Sequence, residues 1–227
     1  SADVLVTGTP RLALDVGGST RWASYTGGSG SAALTFSLSL APGDLDADGV
    51  SLAANALDLN GGSVRDLAGN DAVLAHAALG ADSAHRVDAV APQLDAANAL
   101  TPADSANTAG AVNDTFMGPS DALRLRFDEA VKKGSGQLRI VNDTDGTVLA
   151  LAVDSAAVTI SGQQVTIQPP APLALGQNYH VEIDAGALTD LAGNAYAGLA
   201  GATGWNFSVP DPAISLQPIA ADNRINA

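Results

Sequence analysis

Apolar and polar residues alternate along most of this chain in short stretches separated by turn residues. In the stretch TFSLSL, Phe36, Leu38 and Leu40 share one side of an extended chain, and small polar residues occupy the other side. Alternation with a period of two predicts a β-strand with one buried face, which is typical of antiparallel sheets. The turn GGSGS that precedes this stretch predicts a hairpin with the strand before it.

Similar stretches recur along the whole sequence. In the first part they are DVLVTG, RLALDV, TRWASYT, AALTFSLSL, GVSLAA, ALDL and AHRVDAV. In the second part they are ALRLRFDEAV, QLRIV, TVLALAV, AVTISG, QVTIQPP, NYHVEI and GWNFSV. Strands at intervals of roughly 8–12 residues, without long helical patterns between them, predict an all-β protein built from β-sandwiches.

The pentapeptide DLAGN occurs twice, at residues 66–70 and 190–194, and similar residues precede both copies. A repeated segment predicts two modules of the same kind. We place them at residues 1–91 and 92–211, with residues 212–227 as a tail or the start of a further repeat. Within DLAGN, Gly and Asn tolerate the left-handed conformation of a chain reversal, while the Asp either caps backbone amides or reaches an ion.

The charge and composition of the chain argue against some classes of partner and site. With 24 acidic and 10 basic residues the net charge is −14, which argues against nucleic acid and anionic membrane surfaces as partners. The absence of cysteine excludes disulfides and thiolate metal sites. No apolar run approaches the roughly 18 residues of a membrane helix. Nothing resembles a secretory signal, so we expect an internal piece of a longer protein.

Several long stretches share one order of strands and turns. In the first module they are VTGTPRLALDVGGSTRWASY, LTFSLSLAPGDLDADGVSL, ALDLNGGSVRDLAGNDA and VDAVAP; in the second, LRLRFDEAVKKGSGQLRI, VTISGQQVTIQPPAPLALGQNYHVEIDAGALTDLAGNAYAG and WNFSV. Over nearly all of residues 1–210 the chain resembles the immunoglobulin-like (Ig-like) repeats of large bacterial surface adhesins of the repeats-in-toxin (RTX) and biofilm-associated kinds. The second module resembles the S-layer type of bacterial Ig-like domain.

This resemblance implies a fold and a role. The fold is two tandem Ig-like antiparallel β-sandwiches. The role is that of an extender or spacer at the bacterial cell surface, often stiffened by Ca²⁺ between modules. The partners are then neighbouring Ig-like repeats of the same chain, and we expect a monomer. Two other functions stay open: a module that binds a glycan or a host protein directly, and accessory domains of a secreted hydrolase.

The segment PGDLDADGV is the best candidate for a metal site. Asp44, Asp46 and Asp48 alternate ahead of Gly49, as in the first half of an EF-hand loop, and Ca²⁺ is bound by six to eight oxygens. The glutamate that closes such a loop is missing, because its position is Asn55. The alternative interpretation is an acidic turn whose Asp side chains cap backbone amides.

Strand directions bring further carboxylates to the ends of the modules. If successive strands of the first module run in opposite directions, Asp3 and Asp66 lie at the same end of that module as the PGDLDADGV loop. The same alternation also brings four acidic residues to the junction between the modules, and Asp211 would serve the next junction. We expect Ca²⁺ to join such groups, because clustered carboxylates repel one another without a cation. The junction residues are Asp88, Asp128, Glu129 and Asp190.

Catalysis is not indicated by any motif in the sequence. His76, His85 and His180 have no carboxylate or histidine at a catalytic spacing, and no Gly-x-Ser-x-Gly elbow occurs. We therefore predict that the chain is not an enzyme and that His180 is a surface residue of its strand. Because aromatic residues are few, we expect Trp22 and Trp205 to anchor cores rather than to stack on sugars.

Overall fold

The computed structural model describes residues 2–95, 100–101, 117–201 and 205–211. These residues form antiparallel β-strands and one short 3-10 turn at Ser83–His85, so the predicted all-β class is confirmed. In the part of the chain so described, no helix has the length and apolarity to cross a membrane. Contacts between residues divide the chain into unit 1, Ser1–Ala91, and unit 2, Pro92–Ala227. The predicted tail at residues 212–227 lies outside the described residues.

Unit 1 contains one four-stranded sheet and two strand pairs. The sheet has the order β4-β3-β2-β6, and the pairs are β1 with β7 and β5 with β8. The strands are β1 (Val4–Thr7), β2 (Arg11–Val16), β3 (Ser19–Gly27), β4 (Thr35–Ser37), β5 (Leu45–Asp46), β6 (Leu57–Asp58), β7 (Ser63–Asp66) and β8 (Val87–Asp88). The predicted hairpin between β3 and β4 is present.

The described residues of unit 2 form two four-stranded sheets, β14-β15-β10-β9 and β13-β12-β16-β18, and the pair β11-β17. The strands are β9 (Leu100–Thr101), β10 (Leu123–Arg126), β11 (Val131–Lys133), β12 (Gln137–Asn142), β13 (Val148–Ala152), β14 (Val158–Ser161), β15 (Gln164–Ile167), β16 (Gln177–Ile183), β17 (Leu188–Asp190) and β18 (Asn206–Val209).

The core of unit 2 follows from the alternation in its strands. In β10 and the residue after it, Leu123, Leu125 and Phe127 are completely buried, while Arg124 and Arg126 are exposed. Trp205 is also completely buried, as predicted. Aromatic contacts order this core: the rings of Phe127 and Tyr196 meet edge to face, and those of Tyr179 and Phe207 stack.

The core of unit 1 is much smaller. Its buried apolar residues, among those that the structure describes, are Val16, Ala23, Val64 and Val87. Two predicted strands are also shorter than expected. AALTFSLSL forms only β4, because its end turns into the Asp44 loop, and GVSLAA is reduced to isolated bridges at Ser51 and Leu52.

Two predictions about individual side chains were wrong. Trp22 is 43% exposed, because it lies on the outer face of β3, where the Arg11 guanidinium sits 3.9 Å from the ring centre. His180 is buried, because β16 is an interior strand of its sheet, between β12 and β18.

Candidate functional site

The second DLAGN segment forms a closed loop around the buried carboxylate of Asp190. The backbone N–H groups of Gly193 and Asn194 donate to Oδ1 at 2.6 and 2.7 Å, and the Asn194 side chain donates to Oδ2 at 2.7 Å. The Asp190 N–H in turn donates to the carbonyl of Asn194 at 3.0 Å. The loop therefore depends on one acidic side chain that ends β17.

The first DLAGN segment repeats this arrangement nearer the surface. Asp66 Oδ1 accepts from the N–H groups of Ala68 and Asn70, and Oδ2 accepts from the Asn70 side chain. Those bonds, the Asn70 side chain's first, lower the pKa of Asp66. Gly69 has φ of +91°, as predicted for a chain reversal. Asn70 was predicted to share that role; its side chain acts as a donor to Asp66 instead.

The PGDLDADGV loop places its aspartates against internal partners. Arg21 forms an ion pair with Asp44, and the Ala41 N–H donates to Asp44 Oδ2 at 2.8 Å. Asp46 accepts from the N–H groups of Gly17 and Gly49 at 2.9 and 2.8 Å. The Arg21 hydrogen bond lowers the pKa of Asp44, and the Gly17 N–H does most to lower that of Asp46.

These contacts favour the amide-capping interpretation of the loop. Asp44 and Asp46 are buried, and Asp48 is exposed. Arg21, which supplies the positive charge beside Asp44, is 23 positions away in sequence, and no local motif marks it. Ligation of Ca²⁺ by Asp44, Asp46 and Asp48 stays a prediction.

Three other predicted ligands have carboxylate oxygens close together. Asp88, Glu129 and Asp190 each offer one such oxygen, and the three oxygens lie within 4.8 Å of one another. Among the described residues, this is the group of acidic or histidine side chains that meets the spacing for a shared metal ion. Oxygens on opposite sides of Ca²⁺ lie about 5 Å apart, since each bond is about 2.3–2.6 Å long. The spacing and the hard oxygen donors fit Ca²⁺.

The remaining predicted ligands are placed outside this group. Asp3 and Asp211 are exposed. Asp66 accepts hydrogen bonds within its own loop, as Asp190 does, but it is not one of the three grouped carboxylates. Asp128 adjoins Glu129 but accepts from the Gln93 N–H at 2.9 Å. Metal binding by these four residues is likewise a prediction that the structure does not test.

Histidine–carboxylate contacts were missed at the sequence level. His180 Nδ1 lies 2.6 Å from Asp143 Oδ1, and its Nε2 lies 3.7 Å from Glu182 Oε1. His85 Nδ1 lies 2.9 Å from Asp82 Oδ2. The alternation that places Glu182 beside His180 was visible in NYHVEI. The Asp143 contact was not, because it joins residues 37 positions apart.

Acid should destabilise both units through aspartates outside the candidate metal sites. The Asn60 N–H and then Arg11 lower the pKa of Asp58, and Arg139 and then the Gln137 N–H lower that of Asp184. A folded-state pKa below the unfolded value means that the unfolded chain binds more protons, so stability present above the unfolded pKa is lost on acidification.

We expect Tm, measured in chelator, to be nearly constant from about pH 7 to 5 and to fall below about pH 4, near the ordinary Asp pKa. Asp184→Asn should reduce the fall in the Tm of unit 2 at low pH. Asp154→Asn, an exposed control, should not. A Tm that rose on acidification would contradict the assignment.

In a comparison with protein families, the model of the bacterial Ig-like domain matches residues 88–209. No curated protein and no solved structure matches the chain. The matched residues span more than half of the 227-residue chain, and they contain both four-stranded sheets of unit 2 and the Asp88, Glu129 and Asp190 group. The chain belongs to the bacterial Ig-like domain family.

Proposed function

We propose that this chain is a structural spacer segment of a bacterial cell-surface or secreted adhesin. The observation that carries the proposal is a repeated strand pair. In unit 1 Val4 pairs with Asp66, and in unit 2 Val131 pairs with Asp190, so each DLAGN loop closes the same antiparallel pair in the same register. A structural unit repeated along a chain, with the Asp side chain of each copy bonded to its own loop, suits a scaffold that provides length.

We further propose that Ca²⁺ stiffens this segment. Asp88, Glu129 and Asp190 all lie within the residues that match the bacterial Ig-like domain. The spacing of their carboxylate oxygens supports a shared cation. A cation bound by all three would link the first residue of the matched domain to β17 and would neutralise part of a charge of −14.

Calcium should therefore raise the thermal stability of the chain and reduce its flexibility. We expect Ca²⁺ to bind with Kd on the order of 10⁻⁴ to 10⁻³ M, as extracellular modules do. Chelation should then lower Tm and broaden the distance distribution from small-angle scattering. Glu129→Gln should weaken the Ca²⁺ response, because it removes a charged ligand and keeps the side-chain shape.

Asp154→Asn is the matched control, since Asp154 is an exposed acidic residue of unit 2 outside the group. If neither Ca²⁺ nor chelator changes the Tm or the scattering, the calcium proposal is wrong while the spacer proposal stands.

A binding screen tests the spacer proposal itself. The immobilised chain should not retain glycans or host matrix proteins, because a spacer presents another domain rather than binding a ligand. Trp22 is the exposed aromatic that would serve the alternative function of direct ligand binding. Retention of a ligand that is lost on Trp22→Ala would overturn the spacer proposal in favour of that alternative.

A further inference from the structure

Strand β13 (Val148–Ala152) forms one outer edge of the β13-β12-β16-β18 sheet. With the residue on each side it reads TVLALAV, which contains no charged residue and no proline. Val148 is 54% exposed, Ala150 and Ala152 are exposed as well, and the register with β12 has no bulge. Outer strands are usually protected by lysine, proline, a bulge or a cover, because an open edge offers its backbone to other chains. Strand β13 shows none of these protections.

The backbone of β13 carries open hydrogen-bonding groups on its outer side. The Val153 N–H donates to the Gly136 carbonyl at 3.1 Å, which makes this pair a hydrogen-bonded one. Bonded and non-bonded pairs alternate along an antiparallel ladder, so the two leucines of β13 bond to β12. The alternate residues direct their N–H and C=O groups away from β12: Val148, Ala150 and Ala152. The Ser155 N–H donates to the Ala152 carbonyl at 3.0 Å, and the first two residues have no partner on that side among the described residues.

The other outer strands of the four-stranded sheets are shorter or covered. Strand β18 is buried along its whole length, and β4, β6 and β9 have two or three residues each. Strand β14 has four residues, and its Val158 N–H already donates to the Ser155 carbonyl at 3.2 Å. Over the part of the chain that the structure describes, β13 is therefore the longest exposed outer strand.

Opposite charges lie at the two ends of β13. Asp145 precedes the strand in an exposed turn, where it accepts from the N–H and the hydroxyl of Thr147 at 2.9 and 2.7 Å. At the other end the Lys133 amine donates to the Ser155 carbonyl at 2.9 Å, beside the exposed Asp154. An antiparallel partner strand fits best if it brings a basic group to Asp145 and an acidic group to Lys133.

A second copy of β13 meets both requirements. Antiparallel pairing centred on Ala150 places Val148 of each copy opposite Ala152 of the other, so the outward backbone groups of both copies meet in register. Two-fold symmetry repeats every contact. It therefore brings Asp145 of each copy to the end where Lys133 of the other copy lies.

We propose that β13 is a docking edge on which a second copy of this chain adds its own β13, antiparallel and centred on Ala150. The pair joins two β13-β12-β16-β18 sheets into one continuous sheet. Two strands of five residues bury little surface, so the dimer is weak in dilute solution. It forms more readily where chains are anchored side by side, since anchoring raises their effective concentration. The proposal goes beyond the spacer function and replaces the expected monomer with a reversible dimer.

Sedimentation equilibrium of the full chain at millimolar concentration tests the edge. Chelator is present so that Ca²⁺ cannot bridge two copies, and salt is about 0.15 M so that distant charges are screened. Ala150→Pro removes an outward N–H and keeps the bonds to β12. We expect it to raise the dimer Kd by about tenfold or more, because each copy loses a donor between the strands.

Charge reversal tests the partner and its direction. Asp145→Lys and Lys133→Asp should each raise the dimer Kd by about fivefold or more, because each places like charges at both ends of the pair. An equimolar mixture of the two variants should associate as well as the unchanged chain, since both ends of a mixed pair join opposite charges. Asp71→Lys in unit 1 changes the net charge as Asp145→Lys does, and it should not weaken association.

Three results would overturn the proposal. The first is the absence of concentration-dependent association of the unchanged chain, and the second is a dimer that persists in Ala150→Pro. The third is a mixture of the two charge variants that associates no better than either variant alone. The charge variants leave β13 itself unchanged, so they decide the question even if circular dichroism shows that Ala150→Pro does not fold.

Discussion

Trp205→Ala should destabilise unit 2 by about 3–5 kcal/mol, the usual cost of removing a large aromatic side chain from a packed core. Trp205 is completely buried in the cluster that holds Phe127 and Phe207. Alanine leaves a cavity there, because strands in two hydrogen-bonded sheets cannot close over the lost volume. That loss is a large part of the roughly 5–15 kcal/mol by which a domain is stable. Urea unfolding followed by far-ultraviolet circular dichroism measures it.

Trp22→Ala is the matched control, because it removes the same side chain from an exposed position. We expect a small effect, limited to the lost contact with Arg11. Since the chain has two tryptophans, each variant also leaves a single fluorophore that reports one unit. Equal losses of stability from Trp205→Ala and Trp22→Ala would contradict the difference in burial between the two side chains.

Asp190→Ala should destabilise unit 2 by about 3 kcal/mol in Ca²⁺-free buffer, since it removes a completely buried acceptor from three hydrogen bonds. The Gly193 and Asn194 N–H groups and the Asn194 side chain all donate to this carboxylate. The carboxylate itself is 0% exposed, so water replaces its oxygens less readily than it would at the surface. Thermal and urea unfolding in chelator separate this role from any contribution of a bound ion.

Asp66→Ala is the control in the other copy of the motif. It likewise removes two backbone hydrogen bonds and one from the Asn side chain, but from a more exposed carboxylate, so water can solvate the freed donors. A smaller loss of stability is expected there. If both variants unfold at the same urea concentration as the unchanged chain, the DLAGN carboxylates do not close their loops in the way described.

The sequence predicts many strands of unit 2 well, because the alternating apolar positions in them are also the positions that the fold buries. LRLRF and QLRIV alternate, and their apolar residues lie in the core. β11 and β17 were missed, because VKK and LTD carry no alternation and pair only through contacts that are distant in sequence. In unit 1 the patterns predicted longer strands than form, since apolar side chains such as Leu38 and Leu52 do not reach a filled core.

The candidate site was predictable in part. Clustering of acidic residues and counting of strand directions selected Asp88, Glu129 and Asp190 as neighbours. The same reasoning grouped Asp128 with them; its carboxylate accepts from the Gln93 N–H, and its role as a ligand stays a prediction. Local charge alone could not foresee that Arg21 would reach Asp44, because the partner of a carboxylate is decided by tertiary packing.

The unequal filling of the two units has a mechanical consequence. Unit 1 buries four small apolar residues, whereas unit 2 buries a cluster that includes Trp205, Phe127 and Phe207. If the chain is pulled from both ends, we expect the unit with the smaller apolar cluster to unfold first, because less buried apolar surface stabilises it. Unit 1 would lengthen first and absorb the load, and unit 2 would hold its shape.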